Sequence, residues 1–172
     1  MDQKNLTQKK WEAKVSTRLE QARPEQIWPL FEDFFGLQKY FPGLATCHGI
    51  EGANGQPGCI RYCSGFELKP KGNNNEPNSN LRWSKERLLD VDPIGKWLSY
   101  EVLDNNMGLK TYKSTIKVLP INGGDDSNGC LIEWSFLADP VEGFSYEDLV
   151  NYLDISLQGM AQNMEKAILE SL

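Results

Sequence analysis

The chain has 172 residues, of which 24% are charged and 40% are hydrophobic, and its formal net charge is −6. This length is typical of one domain with one hydrophobic core, and the composition is that of an ordinary globular protein. The acidic balance argues against a nucleic-acid or anionic-membrane partner, because both need clustered Lys and Arg. We therefore expect neither nucleic-acid binding nor stable membrane association.

Cysteine and histidine usage argues against disulfides and metal sites. The cysteines lie at Cys47, Cys59, Cys63 and Cys130, the single histidine is His48, and no two cysteines have the CxxC spacing of zinc ligands. Scattered cysteines in a chain without a signal peptide are typical of reduced, mostly buried thiols. We expect a cytoplasmic protein with no metal and no cofactor.

The chain begins with a polar stretch, residues 1–10, that we expect to be flexible. From residue 11 onward WEAKVSTRL alternates between apolar and polar side chains, which predicts a half-buried strand. Pro24 suits the first position of a helix, and apolar residues at helical spacing follow it. A second short helical segment follows and is expected to end at Pro42 and Gly43.

From Ala45 onward the apolar residues recur at every second position, which predicts further strands. Sequences rich in Gly, Asn, Asp and Pro separate these strands and are typical of turns. The longest of them, KPKGNNNEPNSN at 69–80, is expected to be a mobile hairpin loop. The predicted strands lie near 45–51, 58–68, 81–91, 97–103, 111–119 and 130–138.

The C-terminal segment has the pattern of one long amphipathic helix. Ser145 is a suitable N-cap, and Glu147 and Asp148 place negative charge in the first turn. Gly159 interrupts the helix interior and indicates either a bend or a close contact. The apolar positions, which recur every three or four residues, are Leu149, Leu153, Leu157, Met160, Met164 and Ile168.

This order of elements predicts an α+β arrangement in one domain, residues 11–172. A seven-stranded curved antiparallel sheet wraps around the long C-terminal helix, with two short helices after the first strand. Curling a sheet around one helix leaves a gap between them, and small molecules bind in such gaps. We therefore expect an internal ligand cavity.

Two charged residues on predicted strands are placed to face this cavity. Arg61 shares a strand face with Cys59 and Cys63, and Glu86 shares one with Ser84. If both charges point inward they must pair, because an unpaired buried charge is costly. A guanidinium can hold an oxygen in a bidentate fork, and an ionised carboxylate beside it could act as a base. The same two residues could equally form a plain cross-strand salt bridge.

Five further residues are candidates for the cavity lining. Tyr112 and Trp134 supply large apolar area, and the phenol can offer one hydrogen bond. Leu109 lies in a strand-to-strand turn, which by itself indicates an ordinary hairpin tip. Met160 and Met164 face the core and could also face the cavity, where flexible thioethers suit varied ligands.

Several local strings agree with known proteins: RPEQIW at 23–28, EG…GCIRY at 51–62, KERL at 85–88, LSYE at 98–101, YKST at 112–115 and IEWSF at 132–136. With the order of elements, they resemble the helix-grip superfamily. This superfamily includes START lipid-transfer domains, the major birch pollen allergen, polyketide cyclase/dehydrase-like proteins and abscisic acid receptors. The likeness runs from about Lys10 to the C-terminus and is greatest to plant lachrymatory factor synthase-like proteins.

The resemblance to the synthase implies an isomerase that rearranges a small sulfenic acid inside the cavity. Its arginine, which holds the polar oxygen, matches Arg61, and its proton-moving glutamate matches Glu86. The resemblance also implies that Tyr112 and Trp134 belong to the cavity wall. For the turn that contains Leu109 it offers an alternative to the hairpin tip, a border of the cavity mouth that could act as a gate. Another cavity tyrosine of the synthase corresponds to Val102 here, and this difference argues against an identical substrate.

Three functions are consistent with these patterns. The first is a monomeric lipid- or metabolite-binding or transport protein, for a small hydrophobic or amphipathic molecule with a polar head. The second is a synthase-like isomerase that uses Arg61 and Glu86, and fold alone cannot choose between the two. The third is a hormone sensor like the abscisic acid receptors, but their two gate signatures are absent at 64–68 and 107–109. If the ion pair lines the cavity, Arg61→Leu is expected to weaken polar-headed ligands and leave the fold intact.

Overall fold

The computed structural model describes residues 9–67, 81–121 and 128–172. The predicted loop at 69–80 and most of the predicted flexible N-terminus lie outside the described residues. The described elements confirm the predicted order. They are β1 (Trp11–Leu19), α1 (Pro24–Glu32), a short 3-10 helix (Phe34–Lys39), β2 (Thr46–Glu51), β3 (Ile60–Ser64), β4 (Trp83–Asp92), β5 (Trp97–Asn105), β6 (Lys113–Pro120), β7 (Cys130–Ala138) and α2 (Tyr146–Glu170).

The strands form one antiparallel sheet in the order β1-β7-β6-β5-β4-β3-β2. The first strand therefore pairs with the last, and β1 and β2 form the two edges. Because side chains alternate along a strand, one face of this sheet is buried. In β7, for example, Ile132, Trp134 and Phe136 are buried, whereas Glu133 and Ser135 between them are half-buried.

Helix α2 covers the buried face of the sheet, and its N-terminus is capped as predicted. The Ser145 hydroxyl accepts a hydrogen bond of 3.1 Å from the backbone N–H of Asp148. The Asp148 carboxylate accepts one of 3.4 Å from the backbone N–H of Ser145, so the two residues form a capping box. Buried apolar side chains follow along one face of the helix: Leu149, Leu153, Leu157, Met160, Ala161 and Met164.

Polar contacts hold α2 in place along the edge strand β1. The Thr17 hydroxyl donates to Gln158 Oε1 over 2.7 Å, and the Tyr146 hydroxyl donates to the Glu12 carbonyl oxygen over 2.9 Å. Because these bonds lie near the middle and the start of the helix, they fix its position along the sheet. The helix therefore stands at a defined distance over the concave face.

Gly159 allows α2 to approach the segment that follows the 3-10 helix. A Cβ atom on Gly159 would lie 2.5 Å from Pro42 Cγ, well inside van der Waals contact. Of the two predicted reasons for this glycine, the structure therefore shows the close contact.

Replacing Gly159 with alanine is expected to lower the free energy of unfolding by about 1 kcal/mol. Crowding against a rigid proline ring costs roughly 1–3 kcal/mol, and the better helix propensity of alanine returns only about 1 kcal/mol. Urea unfolding of the purified variant would measure the difference. Adding Pro42→Ala removes the obstructing ring and should recover the loss; a stabilising effect of Gly159→Ala alone would contradict the steric argument.

Candidate functional site

A cavity of about 60 Å³ lies between the concave face of the sheet, the short helical segments and α2. Its wall is mostly apolar, with contributions from Phe34, Leu98, Val102, Ile116, Leu153 and Met160. One water molecule needs about 10–15 Å³ of cavity volume. This cavity therefore has room for a molecule of about four to six non-hydrogen atoms. The cavity therefore suits a small ligand or one end of a larger one.

Arg61 and Glu86 form an ion pair in the wall of this cavity. They are direct partners across β3 and β4, and Arg61 Nε donates to Glu86 Oε1 over 2.8 Å. Nη2 of the same guanidinium lies 2.7 Å from that oxygen. Arg61 is only 5% exposed and Glu86 7%, so both side chains point inward. The pair is thus a cross-strand salt bridge that also lines the cavity. The two interpretations left open by the sequence, a salt bridge and a cavity pair, therefore both apply.

Further contacts hold the ion pair in one geometry. Arg61 Nη1 donates to the Phe34 carbonyl oxygen over 2.8 Å, and the Ser84 hydroxyl donates to Glu86 Oε2 over 2.9 Å. The guanidinium carbon lies 3.7 Å from the centre of the Phe34 ring and 5.1 Å from that of Tyr100, within cation–π range. Since a guanidinium has five N–H donors, these contacts leave donors on Nη1 and Nη2 for a ligand.

The protonation states of the cavity residues follow from burial and from the ion pair. Burial alone would lower the pKa of Arg61, but Glu86 raises it above its ordinary value, so the guanidinium is charged. Burial and the nearby Glu86 raise the pKa of Tyr100. Burial also raises the pKa of Tyr112, and Tyr100 adds to that rise. Both phenols are therefore neutral at physiological pH and keep a proton to donate.

Tyr112 and Trp134 are held firmly in the cavity wall, where the sequence predicted them. The Trp134 indole N–H donates to Ser114 Oγ over 2.6 Å, and the Ser114 hydroxyl donates to the Ser135 carbonyl oxygen over 2.7 Å. The Tyr112 ring stacks on Phe136, with 5.7 Å between ring centres and an interplanar angle of 8°. These contacts fix the shape of the wall beside the ion pair.

The turn after β5 also reaches the cavity, through Met107 and Leu109. One side chain shapes this turn: Asn105 Oδ1 accepts hydrogen bonds of 2.8 Å from the Met107 N–H and 3.0 Å from the Leu109 N–H. Asn105 Nδ2 donates in return to the Leu109 carbonyl oxygen over 2.9 Å. Leu109 therefore lies at the cavity, as one of the two predicted alternatives has it.

The two methionines of α2 differ in their placement. Met160 lines the cavity, and both Met160 and Met164 are fully buried. Met164 is not part of the described cavity lining and packs in the core. The structure thus brings Arg61, Glu86, Leu109, Tyr112, Trp134 and Met160 together and leaves Met164 outside the group.

Two cavity tyrosines were not among the candidates from the sequence. Tyr100 is 4% exposed and lines the cavity beside Arg61. The alternation of β5 could have found it, because Tyr100 shares its face with Val102, a position already matched to a cavity residue. Tyr152 of α2 also lines the cavity, and burial raises its pKa to about 12. Its hydroxyl has no well-formed hydrogen bond within the described part of the chain.

The sequence profile of one family, described as "Polyketide cyclase / dehydrase and lipid transport", matches residues 10–168. The chain belongs to this family. One similar plant protein, the MLP-like protein 423 of Arabidopsis thaliana, is 31% identical over 115 residues. That match covers 64% of this chain and 65% of the relative, so it spans just under two thirds of the relative's length.

Solved structures agree with this family assignment at the level of the fold. The protein XoxI from Bacillus cereus has a TM-score of 0.65 at 23% identity, covering 92% of this chain and 95% of XoxI. Ginseng major latex-like protein 151 from Panax ginseng has a TM-score of 0.65 at 15% identity, covering 93% of this chain and 98% of the ginseng protein. Identities this low establish the fold alone, and they confirm the predicted helix-grip architecture.

Two other features of this family member concern metals and membranes. Across residues 9–67, 81–121 and 128–172, no group of three or more His, Cys, Asp or Glu side chains is placed to hold a metal ion. Within the same ranges, no helix has the length and apolar character needed to cross a membrane.

Proposed function

We propose that this family member binds a small hydrophobic or amphipathic molecule with a polar head inside the cavity, as a metabolite- or lipid-binding or transport protein. The observation that carries the proposal is a mostly apolar cavity with one buried ion pair, Arg61 and Glu86, in its wall. Pockets that bind small molecules combine an apolar lining with a few fixed polar groups that orient the ligand. The family description, which includes lipid transport, agrees with such a role.

The charges around the cavity favour a ligand whose head is polar but neutral. Arg61 and Glu86 cancel each other, and the phenols of Tyr100 and Tyr112 are neutral because their pKa values are raised. An anionic head would meet the attraction of Arg61 together with the repulsion of Glu86, and a cationic head the reverse, so neither would recover the cost of bringing its charge out of water. A hydroxyl or carbonyl head can accept a hydrogen bond from Arg61 without bringing a new charge into the core.

An isomerase like lachrymatory factor synthase is a second candidate, supported by the position of Glu86. Its carboxylate is buried in the cavity wall next to a charged guanidinium. Arg61 could then hold a substrate oxygen while Glu86 takes a proton from one atom and returns it to another. Val102 lies directly across from Glu86 on β5, so the missing tyrosine of the synthase would have been a neighbour of this carboxylate.

Binding of straight-chain alcohols tests the proposed function. We expect butan-1-ol and pentan-1-ol to bind wild-type protein in calorimetric titrations, and the matched carboxylates and alkylammonium ions to bind at least about tenfold more weakly, because a charged head loses about 1.4 kcal/mol or more. Glu101→Gln is the control for the variant Glu86→Gln described next, because Glu101 pairs with Arg87 across β4 and β5, away from the cavity lining. The proposal would be contradicted if all three head groups bound equally well, or if no ligand of the three classes bound.

Glu86→Gln separates a binding protein from an isomerase. Wild-type protein and the variant would each be incubated with the same plant extract and examined by native mass spectrometry. A binding protein releases the same molecule unchanged from both forms. An isomerase converts the molecule in the wild-type protein, whereas the variant, which lacks the proton-accepting carboxylate, retains it intact.

A further inference from the structure

Two cysteines meet where β2 and β3 pair, beside the cavity and outside its described lining. Cys47 and Cys63 are direct cross-strand partners, and their sulfur atoms lie 3.1 Å apart as free thiols. Opposed Cβ atoms in a sheet come as close as about 4.5 Å, which is the upper end of the roughly 3.5–4.5 Å found in disulfides, and the S–S bond itself is about 2.05 Å long. The two sulfurs therefore need to close by only about 1 Å to form a bond.

The two thiols differ in accessibility, which gives them different chemical roles. Cys63 is completely buried, whereas Cys47 is partly exposed. Cys63 donates a hydrogen bond to the Cys47 sulfur, so the negative charge of a Cys47 thiolate is stabilised. An oxidant arriving from solvent meets Cys47 first, and the buried Cys63 is already in contact with the oxidised sulfur.

The groups around Cys47 also favour its thiolate at neutral pH. The hydrogen bond from Cys63 lowers the pKa of Cys47 to about 7; partial burial opposes this effect, Arg61 on β3 supports it, and Glu86 on β4 opposes it. The backbone N–H of Leu37, from the 3-10 helix, adds a further lowering contact. The bond to Cys47 and burial raise the pKa of Cys63, so this residue keeps its proton until it reacts.

We propose that Cys47 and Cys63 form an intramolecular disulfide on exposure to hydrogen peroxide, with Cys47 as the attacking thiol and Cys63 as the resolving thiol. In the first step the Cys47 sulfur bonds to one peroxide oxygen, the O–O bond breaks, and the departing hydroxide takes a proton to become water. In the second step the Cys63 sulfur attacks the Cys47 sulfenic acid, the S–O bond breaks, and the Cys63 proton leaves with that oxygen as a second water. Two thiols are oxidised by two electrons in total, and one peroxide is reduced to two waters.

The other two cysteines lack this arrangement and serve as internal controls. Cys59 is 1% exposed and Cys130 is completely buried. Neither forms a hydrogen bond with another thiol within the described residues, and burial raises the pKa of Cys130 to about 12.

A disulfide between Cys47 and Cys63 would also remove the thiolate charge of Cys47 from the neighbourhood of Arg61. The proposal does not depend on which ligand the cavity takes.

Peptide mapping of oxidised wild-type protein tests the proposal. Folded protein at pH 7.5 would be treated with hydrogen peroxide, alkylated after unfolding, digested and analysed by mass spectrometry. We expect a cross-linked peptide pair that contains Cys47 and Cys63, with Cys59 and Cys130 still alkylated. The rate of loss of free thiol should rise as pH increases through about 7, because the thiolate of Cys47 is the attacking form.

Two variants identify the attacking and the resolving thiol. Cys63→Ser should leave a Cys47 sulfenic acid that dimedone traps, whereas Cys47→Ser should slow thiol loss at least about tenfold because only buried thiols remain. Cys130→Ala should react like the wild-type protein. The proposal is wrong if the wild-type protein forms no link between Cys47 and Cys63, or if Cys47→Ser reacts as fast as the wild type. The wild-type map stands even if a variant fails to fold.

Discussion

Arg61→Leu is expected to lower the free energy of unfolding by about 3–5 kcal/mol, because it leaves the buried Glu86 carboxylate without its charged partner. The leucine also removes the donor to the Phe34 carbonyl oxygen and the cation–π contact with the Phe34 ring. Urea unfolding monitored by tryptophan fluorescence would measure the loss. The sequence alone led us to expect that this variant leaves the fold intact; burial of both partners makes a marked loss of stability the better-founded prediction.

A second ion pair, which shares strand β4 with the first, supplies a matched control. Arg87 and Glu101 pair across β4 and β5, but their side chains are 43% and 19% exposed. Arg87→Leu should therefore cost no more than about 1 kcal/mol. The double variant Arg61→Leu/Glu86→Leu should recover much of the loss, because apolar replacement of both partners removes the unpaired charge. Equal losses of unfolding free energy for Arg61→Leu and Arg87→Leu would contradict the argument that burial makes the Arg61–Glu86 pair costly to break.

Met160→Ala is expected to enlarge the cavity and shift its ligand preference, whereas Met164→Ala is expected to affect stability alone. Both side chains are fully buried, so each truncation should lower the free energy of unfolding by about 2–5 kcal/mol. At position 160 the vacated space, worth about three non-hydrogen atoms, joins the existing cavity. Each extra methylene buried there adds about 0.8 kcal/mol, or roughly fourfold in affinity.

Calorimetric titration with butan-1-ol, hexan-1-ol and octan-1-ol would measure this shift. The affinity maximum should move to a longer alcohol in Met160→Ala and stay at the wild-type length in Met164→Ala. The ligand effect rests on the proposed function, while the loss of stability does not. An unchanged preference in Met160→Ala, or the same shift in both variants, would contradict the lining described here.

Alternation along the strands made most of the sheet predictable from sequence. The run WEAKVSTRL forms β1 over the predicted residues, and Arg61 and Glu86 point inward as the two-residue period indicated. Ser145 caps the start of α2 because its hydroxyl accepts a hydrogen bond from the first turn, and this interaction involves only residues close in sequence. These features depend on neighbours in the chain, and the sequence shows such neighbours directly.

The remaining features depend on how distant segments pack. The period of α2 brings both Met160 and Met164 to the core, but it does not say which of the two lies beside the cavity, because that depends on which segments pack against each turn of the helix. The meeting of Cys47 with Cys63 depends on the register of β2 against β3, which shifts between Gly49 and Glu51. A sequence pattern fixes the face of a strand but not such a register.

The turn held by Asn105 bears on the entropy of binding. Its side chain makes hydrogen bonds to both Met107 and Leu109, so this part of the cavity wall takes its shape from bonds within a few residues. Ordering a loop around a ligand normally subtracts from affinity. Here that ordering is completed when the chain folds, and a ligand that contacts Met107 and Leu109 meets a wall that is already organised.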